Sequence, residues 1–179
     1  MTDIEIPDPS VVVLVGAAGA GKSTFAAKHF APDAVLSSDQ LRAAISGDAA
    51  DQSATRRAFT LLHRALDRRL AAGLLTVVDA TNVTAAARRT IRRAAARNGV
   101  PVVAIVLDLP EEVVRERNAG RTGRVVPDQV VTRHLGQLAD ALSGRLADER
   151  LSAVIHLRDP AEADAITVRL VRSAPDGDR

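Results

Sequence analysis

Gly16, Ala17, Ala18, Gly19, Ala20, Gly21, Lys22 and Ser23 carry the clearest chemistry in this sequence, fitting G-x-x-x-x-G-K-[ST] at every position. Small residues let the backbone wrap tightly, so that successive N–H groups converge on an anion at the positive end of a following helix. In this pattern Lys22 would reach the β- and γ-phosphates of a nucleoside triphosphate, and the Ser23 hydroxyl would ligate Mg²⁺. Thr24, the next residue, belongs to the same nucleotide-binding set and opens the helix. The spacing therefore predicts ATP or another nucleoside triphosphate as ligand, with Mg²⁺. A Gly-Ala turn followed by a chance Lys-Ser is the plainer alternative. It is disfavoured by the β-branched run at 11–15 leading into the loop and the helical pattern leading out.

Three further groups bear on phosphoryl transfer, which needs positioning, charge neutralisation and a partner for the acceptor's proton. Asp39 stands where a helix begins and is the candidate to orient and deprotonate an acceptor hydroxyl. Arg42, one turn on, shares its face and would grip an anionic group of that acceptor. Asp79 ends an apolar run and would hold Mg²⁺ directly or through water. Each acid also has a simpler reading, Asp39 as a helix cap and Asp79 as a cap of the turn after its strand. Arg117, Arg121 and Arg124 recur at helical spacing, yet Gly120, Gly123 and Pro127 interrupt them. An Arg-rich lid over residues 117–127, closing Arg117 and Arg121 on the triphosphate, explains both features. An exposed basic loop is the alternative.

The elements that must position these residues alternate along the chain. Strands are expected at 11–15, 34–37, 75–79, 102–107 and 151–157. Helices are expected after the glycine-rich loop, from Asp39 onward, and at 53–72, 84–97, 111–117, 128–146 and 161–171, with a frayed tail at 173–179. Arg88, Arg89, Arg92, Arg93 and Arg97 lie along one broad side of the 84–97 helix and read as a solvated face, with a phosphate-backbone patch as the alternative. The alternation predicts an α/β protein of the P-loop NTPase fold, a parallel sheet of about five strands with helices on both faces, in one domain over 1–179. Ligands of such sheets sit outside the carboxyl ends of the strands. The loop at 16–23, Asp39 and Asp79 all follow expected strands, so they should meet at one cleft.

Composition narrows the classes. The 179 residues fit a single domain with a substantial core, and no apolar run approaches the roughly 18–20 residues of a membrane span. Acids near the N-terminus stand where a signal peptide would carry lysines, so a cytoplasmic protein is expected. The absence of cysteine excludes disulfides, thiol catalysis and thiolate metal sites, and the 4 histidines lack ligand spacing. A net charge of +2 does not announce nucleic-acid binding, and Phe25, Phe30 and Phe59, the whole aromatic complement, argue against a platform of stacked bases. Any nucleic-acid contact would be local and directed largely at phosphates. No Asn-Lys-x-Asp motif supports a GTPase, and the length leaves room only for a core domain, which disfavours a motor or AAA-type ATPase.

Taken together, the segment 16–23, Ser37-Ser38-Asp39 with Arg42, Asp51-Gln52, Thr76-Val77-Val78-Asp79-Ala80-Thr81-Asn82, and Glu116-Arg117-Asn118 with Arg121 resemble the 5′-hydroxyl polynucleotide kinase domain of bacterial polynucleotide kinase-phosphatase. The motifs run in that family's order over roughly residues 8–170. The resemblance implies an RNA-repair kinase with Asp39 as general base on the 5′-OH end of a nucleic acid. Arg42 would hold the phosphate next to the accepting nucleoside, and Lys22, Ser23, Arg117 and Arg121 would engage ATP and the transferred phosphoryl group. The repair protein continues into phosphatase and ligase-like domains. For a freestanding kinase, a small-molecule hydroxyl (sugar, antibiotic or nucleoside) is the competing acceptor. A nucleotide-dependent switch is a third reading, against which an acid on the acceptor side counts.

Overall fold

Five β-branched or apolar runs assemble into one parallel sheet in a computed structural model that describes residues 3–47, 54–122 and 125–172. The chain opens with β1 (Asp3–Asp8), after which β2 (Val11–Val15), β3 (Val35–Ser37), β4 (Thr76–Asp79), β5 (Val102–Leu107) and β6 (Ala153–Leu157) follow. The sheet is ordered β3-β4-β2-β5-β6, and every neighbouring pair is parallel. Strands covered on both faces read as continuous apolar runs, and β2, β4 and β5 are buried at every position.

Strand alternation divides the core between two faces. Val12 and Leu14 of β2 pack with Phe25, Ile105 and Val114, while Val11, Val13 and Val15 pack with Leu62, Leu66 and Ile91. The first face thus receives α1 (Lys22–His29) and α5 (Glu111–Ala119), and the second α3 (Thr55–Ala71) and α4 (Ala85–Arg97). Helix α2 (Ser38–Ser46) follows β3 and packs on α3. Helix α6 (Asp128–Asp140) contributes Val131 to one cluster and Leu138 to the other. The α/β architecture with helices on both faces is therefore the one expected from the sequence. No helix among the described residues is long and apolar enough to cross a membrane.

The end of the chain departs from expectation. In place of one helix over 161–171 there is a short helix α7 (Pro160–Ala165) and then a strand β7 (Thr167–Arg172). Ile166 turns extended, at φ −69° and ψ 147°, which ends the helix. β7 pairs in parallel with β1 in a separate sheet of 2 strands. Neither strand of this pair is among the expected elements, although in β1 Asp3-Ile4-Glu5-Ile6 alternates as a half-buried strand does, with both isoleucines in the core. The helix expected at 128–146 also stops early. Beyond Asp140, residues 141–145 kink where Gly144 takes φ 126°. Of the other expectations, the helix start at 53, Asp51-Gln52, Gly123, Arg124 and the tail at 173–179 lie outside the described residues.

Candidate functional site

The glycine-rich loop leaves the carboxyl end of the central strand β2 and delivers its last residues into α1. Gly21 caps α1 at φ 89°, a conformation that glycine adopts without a steric penalty. Gly19, at φ 94°, leaves no room for a side chain, since a Cβ there would lie 2.3 Å from the Val114 carbonyl oxygen. The Gly16 N–H donates to the Thr81 carbonyl at 3.0 Å and ties the loop to the turn after β4.

Lys22 folds back over this loop and donates from Nζ to the carbonyls of Gly16 at 2.9 Å and Ala17 at 2.7 Å. It is nearly buried, and that burial pushes its ammonium from the ordinary 10.5 down to about 8. Asp79 and Asp39 oppose the fall, while Arg121 adds to it. Three charged groups taken from different parts of the sequence therefore act on Lys22. Ser23 Oγ donates to Asp79 Oδ2 at 2.7 Å, so the carboxylate at the end of β4 reaches a hydroxyl 56 positions earlier. These are hard oxygen donors. Among the described residues no group of three His, Cys, Asp or Glu side chains is placed to hold a metal by itself.

Asp39 enters from the neighbouring strand end, since Ser37 of β3 stands in register with Asp79 of β4. The capping residue of α2 is Ser37, whose side chain accepts from the Gln40 N–H at 3.5 Å, which leaves Asp39 in the first turn with its carboxylate half exposed. Arg42 is buried and donates from Nη1 to Asp39 Oδ1 at 2.8 Å. On the opposite side, Arg117 sits in the last turn of α5 against the loop, its Nη1 only 3.1 Å from where a Cβ on Gly21 would stand. The buried Asn118 donates to the Val126 carbonyl at 2.8 Å and accepts from the Val126 N–H at 3.1 Å, closing the base of the segment that carries Arg121. The loop from Ala18 to Thr24, Asp39, Arg42, Asp79, Arg117 and Arg121 all line one cleft of about 1340 Å³. Gly16 and Ala17 stand behind it as the carbonyl acceptors for Lys22.

Two supports of this site are not evident from the motifs. Asn82 takes φ 47°, and its side-chain amide donates to the Leu14 carbonyl at 2.8 Å, joining the end of β2 to the turn after β4. Arg88 is buried rather than part of a solvated arginine face, which corrects the expectation for α4. It donates to the Asn82 carbonyl at 2.8 Å and to Glu149 at 2.6 Å, and Arg92 approaches the same carboxylate at 3.4 Å. The sequence signal was available, because Arg88 precedes Ile91 and Ala95 by three and seven positions and so stands on the apolar stripe. Arg89, Arg93 and Arg97 do face solvent.

A parallel sheet with a glycine-rich loop after its central strand, facing Asp79 at a strand end and Asp39 in the first turn of α2, is the P-loop NTPase fold expected from the sequence. The chain belongs to the AAA_33 family, described as an AAA domain, whose model matches residues 11–145. Among curated proteins none matches the sequence. Similar solved structures include the Pnkp1/Rnl/Hen1 RNA repair complex, at 22% identity and TM-score 0.61 over 77% of this chain. The chain spans only 46% of that relative's length. An unliganded sugar kinase from Janibacter sp. HTCC2649 is similar at 21% identity and TM-score 0.55, over 87% of this chain and 90% of that one. The AvrRxo1-ORF1:-ORF2 structure with ATP is similar at 16% identity and TM-score 0.63, over 96% of this chain and 56% of that one.

Proposed function

We propose that this protein is an ATP- and Mg²⁺-dependent kinase that transfers the γ-phosphate to the 5′-OH end of RNA or DNA. The observation that carries the reading is the Asp39–Arg42 pair, at 2.8 Å, lining the same cleft as the phosphate loop. A protein that only bound nucleotide would not require an acid beside a buried guanidinium there. Asp39 takes the proton of the attacking hydroxyl, and Arg42 turns to the acceptor's adjacent phosphate. Lys22, Arg117 and Arg121 neutralise the donor phosphates, and the backbone of residues 16–24 cradles them. Ser23 and Asp79 fit a Mg²⁺ ion that arrives on the triphosphate, since that ion takes one or two protein oxygens and fills its other positions with phosphate and water. Held by Ser23 and Asp79, such an ion would supply positive charge to offset that of the phosphates. The motifs around Asp39 and Asp79, rather than the phosphate loop shared by many enzymes, point to a polynucleotide end. The absence of Trp and Tyr to stack a terminal base favours a second reading, a kinase of a small-molecule hydroxyl.

The test is transfer of labelled γ-phosphate from ATP, with Mg²⁺, to matched 5′-OH RNA and DNA oligonucleotides alongside nucleosides and sugars. End labelling of the oligonucleotides by the wild type establishes the polynucleotide reading. Labelling confined to a small molecule establishes the second.

The depressed Lys22 ammonium gives ATP binding a proton signature. Polyphosphate oxyanions favour its charged form, so ATP raises its pKa from about 8 and binding near pH 8.5 takes up as much as roughly three-quarters of a proton. Apparent ATP affinity therefore falls as pH rises through 8. Calorimetry in buffers of different ionisation enthalpy measures the uptake, and an unchanged enthalpy across buffers would contradict the assignment.

A further inference from the structure

The cleft does not end at the reacting centre. A recess of about 400 Å³ opens between the turn after β4 and helix α6, and Thr81, Arg133 and His134 line both spaces. Thr84 and Gln137 complete its polar walls. Residues bearing a guanidinium, an imidazole, two hydroxyls and two amides thus line the recess, and none of its lining residues is a carboxylate. A polar lining with a guanidinium and no acid selects an anionic, hydrogen-bonding group over an apolar one. The volume falls within the roughly 300–1,000 Å³ of small-molecule sites, enough for more than a lone phosphate.

Its position assigns it to the acceptor. β4 lies between β3, which leads to Asp39, and β2, which leads to the phosphate loop. Ser37 and Asp79 are in register, so Asp39 and Thr81 leave adjacent strand ends two residues beyond that pair. The recess meets the main cleft at Thr81, Arg133 and His134 and extends between the turn after β4 and α6. A chain whose terminal hydroxyl meets Asp39 and whose first phosphate meets Arg42 is thereby led to Arg133.

We propose that this recess is a subsite for the second nucleotide of a polynucleotide acceptor, with Arg133 paired to the phosphodiester beyond the one held by Arg42. The inference rests on the polynucleotide reading above and deepens it. Arg133 is exposed on α6, so its replacement leaves the core intact, which thermal melting verifies.

The experiment measures kcat/KM for the wild type, Arg133→Ala and Arg133→Lys on a 5′-OH nucleoside 3′-phosphate, a dinucleotide 3′-phosphate and a longer oligonucleotide. The salt dependence of each is recorded, together with KM for ATP. The expected result is a loss in Arg133→Ala about tenfold greater for the oligonucleotides than for the nucleoside phosphate, carried by KM. The salt slope for oligonucleotides should fall by about one, Arg133→Lys should restore most of it, and KM for ATP should change less than KM for the oligonucleotide. Equal effects of Arg133→Ala on all acceptors would overturn the subsite while leaving the polynucleotide reading in place, since the wild type would still label the oligonucleotides. A wild type that labels small molecules alone would overturn both.

Discussion

Asp39→Ala is expected to lower kcat by about 10²–10⁴, the range for loss of a positioned general base, while ATP still binds. Asp39 lines the cleft, whereas the carbonyls that hold Lys22 in the phosphate loop belong to Gly16 and Ala17. Its influence on the donor side is electrostatic and small, the least of the four causes acting on Lys22. Removing the carboxylate would depress that ammonium slightly further and shift the pH limit of ATP binding downward, leaving binding at neutral pH. The same change also releases Arg42, which loses its 2.8 Å partner. Asp39→Asn separates these consequences, because its amide oxygen still accepts from Arg42 but the side chain cannot take a proton. Comparable losses in both variants, by single-turnover transfer at saturating ATP, identify proton removal as the function. Near-normal turnover in Asp39→Asn would instead leave Asp39 a positioning residue for Arg42.

What the sequence discloses and what it conceals follow from the range of the interactions. The phosphate loop, Asp39 and Asp79 are legible because each sits at a strand end, and a parallel sheet brings all strand ends to one edge. Strand β2 and strand β5 are equally plain, since burial on both faces forces unbroken apolar runs. Strand β7 is not plain. Thr167-Val168-Arg169-Leu170-Val171-Arg172 has little burial to pattern it, and its partner β1 lies at the far end of the chain. Such a pairing is decided by tertiary contact rather than local propensity. Arg88 was misread for a related reason. Its neighbours Arg89, Arg92 and Arg93 make a charged run, but only the arrival of Glu149 from 61 positions away makes burial of a guanidinium tolerable. Position on the helix told which face Arg88 takes, and only the fold supplies the carboxylate.

That partnership yields the largest expected effect on stability. Glu149→Ala leaves the Arg88 guanidinium buried without its counter-ion, a change that costs about 3–5 kcal/mol when one partner of a buried pair is removed. For a chain of this size the melting temperature should fall by roughly 6–20 °C. Arg92 is partly exposed and can turn to solvent, so the loss centres on Arg88. Replacing both partners together, Arg88→Met with Glu149→Leu, removes the stranded charge and should recover most of the stability. It does not restore the bond from Arg88 to the Asn82 carbonyl, and the Asn82 side chain holds the end of β2 beside the turn that follows Asp79. The double variant is therefore expected to melt near the wild type yet turn over several-fold more slowly, with kcat affected more than KM for ATP. Recovery of both melting temperature and kcat would show that Arg88 only fills and neutralises the interior. Recovery of stability alone would show that the buried pair aligns the phosphate loop with Asp79, through the Asn82 carbonyl that Arg88 holds.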